Sequence, residues 1–162
     1  MSVHSQLAAV IRSEMGTPIP FRRFMELALY HPEHGYYTSG RARVGRKGDF
    51  FTNVSIGSLY GRLMARQFAE IWHRLGQPSE FSIIEQGAHN GDFAGDTLKE
   101  LRTLDSGCFA ATHYRIVEPA AALQAKQREK LAEHPQHVEW FTSQTELPRW
   151  TGVHFSDRKS VV

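Results

Sequence analysis

The run Phe81-Ser82-Ile83-Ile84-Glu85-Gln86-Gly87-Ala88-His89-Asn90-Gly91-Asp92 constrains the fold of this chain more than any other stretch. Phe81 to Ile84 is short, apolar and partly β-branched, which suits a strand covered on both faces. Glu85 stands where such a strand would end, and glycines follow at 87 and 91. From Phe93 the period changes. Phe93, Thr97, Leu98 and Leu101 fall at i, i+4, i+5 and i+8, which puts one apolar stripe on a helix. Strand, glycine turn and helix together form the layout in which a ligand lies against a helix N-terminus at the carboxyl end of a parallel strand.

The remainder of the chain reads as more of the same alternation. Leu7, Val10 and Ile11 predict a helix over 5–15 with Gly16 as its stop. Thr17-Pro18-Ile19-Pro20 is an extended connector, because a residue before proline is pushed out of the helical region. Phe21, Phe24, Met25, Ala28 and Leu29 predict a second helix, broken by His31-Pro32-Glu33-His34-Gly35. The Tyr36-Tyr37 pair after it reads as a packing edge. A third helix is expected from about Ser55 to Leu75, with Leu59, Leu63, Phe68, Ile71, Trp72 and Leu75 inward. After the helix over 92–104 comes a loop at Asp105-Ser106-Gly107. Tyr114 to Val117 is a second strand closed by Glu118, and Pro119 fits the first turn of a following helix. That helix, 120–132, would turn Leu123 and Leu131 inward. His137 to Phe141 and Gly152 to Phe155 predict two more strands. Such alternation implies right-handed crossovers and a mainly parallel α/β sheet.

Charge and composition exclude several function classes. A net charge of +2 is too small to argue for a nucleic-acid or membrane partner. The basic run Arg41 to Gly48 reads as a solvated loop, since no aromatic side chains interleave it for strand binding. Cys108 is the one cysteine, so no intrachain disulfide forms and a reducing compartment is allowed. No apolar run approaches the roughly 20 residues of a membrane helix, and the N-terminus lacks the apolar core of a signal peptide. A cytoplasmic protein is expected. The nine histidines are scattered without metal-ligand spacing, so no metal is expected. A nucleophile elbow and a phosphate-binding P-loop are missing from the sequence.

Glu85 and Glu118 close successive strands and would flank a nucleotide. A carboxylate at the end of the second strand can accept both hydroxyls of a ribose; the bland alternative is an acid that merely favours a helix dipole. The spacing Glu85-x-Gly87-x-His89-x-Gly91 fails the dinucleotide pattern G-x-G-x-x-G, which argues against a nucleotide-dependent oxidoreductase. It fits better the acid-x-Gly-x-Gly-x-Gly pattern of class I S-adenosylmethionine methyltransferases, with His89 in place of the middle glycine.

Taken with Gly16-x-x-Ile19, His31-Pro32-x-x-Gly35-Tyr36-Tyr37, Gly48-Asp49-Phe50-x-Thr52, Val117-Glu118-Pro119 and Gly152-Val153-His154-Phe155-Ser156, the chain resembles the MidA-like class I methyltransferases over residues 7–156. That family includes a mitochondrial arginine methyltransferase of complex I assembly. The resemblance implies a Rossmann-like fold with an incomplete parallel sheet and an N-terminal helical region. It divides the chain into a helical, substrate-side region (1–78), the first part of the donor-binding domain (79–156) and a non-native tail (157–162). It implies S-adenosyl-L-methionine as cofactor, with Glu85, Gly87, Ala88 and Gly91 lining it and Glu118 on its ribose. Gly48, Asp49, Phe50 and Thr52 match the motif that closes over the site. The function implied is methylation of a protein, at arginine in the mitochondrial member; no residue is singled out as catalytic. Where the family continues past Ser156 with an Asn-Glu pair, this chain reads Asp157 to Val162, so a truncated N-terminal part is expected. A non-catalytic donor-binding or assembly module with the same fold is the alternative.

Overall fold

The computed structural model describes residues 3–14, 16, 18–39 and 57–156. These fall into two compact units, divided between Phe51 and Thr52. Gly48, Asp49, Phe50 and Thr52, and the basic run before them, lie outside the described residues.

The N-terminal unit contains α1 (Val3–Glu14) and α2 (Phe21–Tyr30). The connector carrying Pro18 and Pro20 separates them, and Arg23 of α2 pairs with Glu14 of α1 at 2.7 Å. The His31 to Tyr37 motif proves to be a turn that closes α2. The Nδ1 of His31 accepts the backbone N–H of Glu33 and of His34, while Tyr36 and Tyr37 donate back to the carbonyls of Ala28 and Leu29. Gly35 is dictated by space, because a Cβ there would lie 2.5 Å from His31 N. The tyrosine pair packs edge to face with centroids 5.0 Å apart.

The second unit is a four-stranded, all-parallel sheet in the order β3-β2-β1-β4. Its elements are α3 (Leu59–Arg74), β1 (Phe81–Gln86), α4 (Asp92–Leu104), α5 (Ser106–Ala111), β2 (Thr112–Val117), α6 (Ala121–Lys130), β3 (Val138–Phe141) and β4 (Gly152–Ser156). β1 pairs with β2 from Phe81↔Thr112 to Gln86↔Val117, and with β4 from Ser82↔Gly152 to Gln86↔Ser156. Every residue of β1 through Glu85 is buried, as a strand flanked on both edges should be. Phe81, Ile83, Tyr114 and Ile116 point to one face and build the core with Phe68 and Trp72 of α3 and Leu98 and Leu101 of α4. On the other face, Arg115 donates to Ser82 Oγ at 2.8 Å and pairs with Glu139 at 2.9 Å.

Three local expectations are corrected. Leu59, Leu63 and Leu75 of the third helix are exposed, and the buried stripe is Gly61, Ala65, Phe68, Ala69 and Trp72. Small residues let α3 approach α4 closely: a Cβ on Gly61 would sit 2.7 Å from Asp96 Cβ. Large leucines on that stripe would hold the helices apart. The loop expected at 105–107 instead opens α5, because the Asp105 carboxylate accepts the Cys108 N–H and caps it. Finally, β2 begins at Thr112, two residues before the expected start.

Candidate functional site

In this sheet β1 to β2 to β3 steps one way, while β4 lies on the opposite side of β1. The strand order therefore reverses between β1 and β4, at whose carboxyl ends open α/β sheets bind their ligands. The segment leaving β1 there is Gly87 to Gly91.

Its backbone explains its sequence. Gly87, His89 and Gly91 all adopt left-handed conformations, with φ of 83°, 48° and 83°. Alternate residues coil the chain back into the start of α4, with Gly91 as N-cap. Glycine takes this conformation freely, whereas an L-residue is strained in it by about 1–2 kcal/mol. His89 thus keeps the backbone that the middle glycine would have and bears the strain. The two glycines differ in their surroundings. A Cβ on Gly87 would meet no atom within 4 Å, whereas one on Gly91 would press on Leu131 Cδ1 at 3.3 Å. The first glycine leaves an open approach to backbone; the last permits packing.

Of the two acids, Glu85 lies inside β1, not at its end, and is buried. The Tyr114 hydroxyl donates to its Oε2 at 2.7 Å. Burial, then the adjacent Glu85 carboxylate, pushes that phenol well above its ordinary pKa. Tyr114 is therefore the donor in this bond. Glu118 lies one residue beyond β2 and is 5% exposed. The Ala120 N–H donates to its Oε1 at 2.9 Å, leaving acceptor positions on the carboxylate. Burial raises its pKa above the ordinary carboxyl value, opposed by the Ala120 N–H and by the side-chain amide of Gln127.

Gln127 itself went unnoticed in the sequence. It is fully buried at the centre of α6, donating to the His89 carbonyl at 2.9 Å and accepting the Trp140 indole N–H at 3.1 Å. Leu123, Gln127 and Leu131 are spaced i, i+4, i+8. A polar residue centred on an otherwise inward stripe was the available signal. Gln86 and Gln144 join the end of β1 to the turn after β3 at 2.6 Å. Phe155 of β4 stacks on Phe93 of α4 at 4.5 Å, walling one side of the reversal.

These features suit a nucleoside-bearing cofactor. Glu118 is a buried carboxylate with accepting capacity left for hydroxyl groups, and the Gly87 backbone is open to close approach. Among the described residues no cluster of side chains could hold a metal ion.

Residues 63–157 match the family model Methyltransf_28, described as "Putative S-adenosyl-L-methionine-dependent methyltransferase". The chain belongs to this family. It is 33% identical over 129 residues to the mitochondrial protein arginine methyltransferase NDUFAF7 homolog of Drosophila melanogaster, covering 78% of this chain and 29% of that protein. The human NDUFAF7 protein is 32% identical over 113 residues, covering 68% and 25%. A crystal structure of a COG1565 superfamily member from Burkholderia thailandensis, bound to S-adenosyl-homocysteine, superimposes with a TM-score of 0.77 at 32% identity. It covers 95% of this chain and 41% of that one. The chain thus spans less than a third of the curated relatives it matches. The α/β fold expected from sequence agrees with these neighbours. The cytoplasmic expectation does not stand, because the curated relatives are mitochondrial proteins. That expectation rested on composition and on the N-terminal residues. No helix among the described residues is long and apolar enough to cross a membrane.

Proposed function

We propose that this chain carries the methyl-donor site of an S-adenosylmethionine-dependent methyltransferase acting on a protein, with arginine as the acceptor. The observation that carries the reading is the left-handed turn at 87–91, set at the strand-order reversal with the buried carboxylate of Glu118 after the neighbouring strand. The relatives' arginine acceptor and the S-adenosyl-homocysteine of the solved neighbour support the chemistry.

In this reading residues 79–156 form the donor-binding part. Glu118 accepts the two ribose hydroxyls, and Gly87 and Ala88 present backbone to the cofactor. Gly91 lets the turn lie close against Leu131. Glu85 acts from beneath through its bond to Tyr114, fixing the end of β1. Gly48, Asp49, Phe50 and Thr52 are assigned as the closing segment on sequence resemblance. The bound cofactor supplies an electrophilic methyl on a sulfonium. The protein's own contribution is to hold acceptor and donor in near-attack geometry and to exclude water. An arginine acceptor also requires carboxylates that orient its guanidinium.

Calorimetric titration with S-adenosyl-homocysteine tests this. Glu118→Ala is expected to weaken binding about a hundredfold, about 3 kcal/mol, since it removes a charged acceptor of two hydrogen bonds. Saturable binding that survives the substitution unchanged would remove Glu118 from the site.

A further inference from the structure

The fully buried amide of Gln127 lies between two parts of the proposed site that are far apart in sequence. We infer that Gln127 is a positioning residue of the donor site, locking the turn at His89 against α6 and β3. This rests on the donor-site reading above.

The orientation of the amide is decided by Trp140. An indole N–H can only donate, so at 3.1 Å it must face the Gln127 Oε1. The Nε2 then faces the other way, with two hydrogens to give. One goes to the His89 carbonyl at 2.9 Å. The amide also lowers the pKa of Glu118 against the rise that burial causes. With its oxygen and its nitrogen both engaged and no solvent near, the side chain has one favoured orientation. The position of Trp140 is in turn secured by the Arg128 guanidinium, which lies over its ring at 4.2 Å.

Two consequences follow for the site. The carbonyl of His89 belongs to the strained left-handed residue, so the bond from Gln127 helps keep that residue in place. The Gln127 amide also favours the ionised form of Glu118 against burial. Gln127 touches neither reacting atom; it acts through the loop.

The test is calorimetric titration of S-adenosyl-homocysteine into the full chain across pH, with thermal melts alongside. Gln127→Met keeps length and packing but loses both bonds. It is expected to bind at least tenfold more weakly, and the pH below which affinity falls should move upward, because Glu118 loses a group that favours its charged form. Mere loosening of the fold would lower the melting temperature and leave that pH unmoved. Trp140→Phe serves as a second variant should Gln127→Met not fold. It keeps the ring under Arg128 but frees the amide to turn over, and a weakening of about threefold with the same upward shift is expected. Wild-type affinity and pH dependence in the variant that folds would overturn the inference alone. A folded wild-type chain that binds no S-adenosyl-homocysteine would overturn the donor-site reading, and this inference with it.

Discussion

The two ends of the parallel sheet are built on opposite terms. At the carboxyl end three left-handed residues occur within five positions, one of them not glycine, and two buried carboxylates stand close by, Glu85 in β1 and Glu118 just past β2. Each of these features opposes stability. At the amino end the polar groups close local bonds. Trp72 donates its indole N–H to the Pro78 carbonyl at 2.9 Å, Asp105 caps α5, and His137 bonds the Thr112 carbonyl at 3.0 Å. The bonds at the amino end offset the strain at the carboxyl end. Substitutions at the amino end should therefore act on folding, and those at the carboxyl end on ligand affinity.

The largest effect on folding is expected at Gly152, where β4 enters the sheet. A Cβ there would lie 2.0 Å from the Ser82 carbonyl oxygen, with φ at +150°. The obstacle is backbone in the central strand, which cannot rotate away. Gly152→Ala must displace β4 and break the bond from Ser82 N–H to the Thr151 carbonyl. A loss of about 4 kcal/mol is expected, read as a lower urea midpoint. A midpoint within experimental error of wild type would show that β4 contributes little to the fold.

At the other end, Gly87→Ala offers the contrasting case. The added methyl would meet no protein atom, so only the backbone conformation resists it. A loss of about 1 kcal/mol in stability is expected, with a larger fractional loss in S-adenosyl-homocysteine affinity. His89→Gly runs the comparison in reverse. It relieves a left-handed residue at φ 48° and should stabilise the fold by about 0.5–1 kcal/mol, net of the extra freedom glycine gives the unfolded chain. A destabilised His89→Gly would mean that the side chain's own contacts outweigh the strain.

The same division governs how much the sequence discloses. Strand, turn and helix at 81–101 are legible because burial on both faces and a left-handed turn each demand particular residue types. The four strands and their order of succession follow from periodicity. What escapes is set by tertiary approach. The buried face of α3 was misread because its determining residues are Gly61, Ala65 and Ala69, which carry no hydrophobic signal yet set how near α4 can come. α5 was missed because a six-residue helix has too few turns to show a period. In the candidate site, Glu118 and the glycines are visible as a motif. Gln127 is not, because its role exists only where α6, β3 and the turn meet.

The smallest effect expected is one of pH, and it belongs to the amino end. His134 is buried against the ring of Phe109, whose centroid is 6.0 Å away. Burial lowers its pKa first, Arg102 and His137 lower it further, and Glu133 opposes them. The folded state therefore holds the neutral imidazole more firmly than the unfolded chain does. Above the ordinary value of 6.5 both states are neutral there and the full stability is present. As pH falls below it the unfolded chain takes up the proton first, so stability declines until the folded histidine is itself protonated. Asp105 is the internal control, since the Cys108 N–H holds its carboxyl below the usual 3.8 and its contribution is lost only at much lower pH. Urea midpoints should therefore drop between pH 6.5 and 5 in wild type and stay level in His134→Gln. An equal drop in both would place the titrating group elsewhere and detach this end of the sheet from the acid sensitivity.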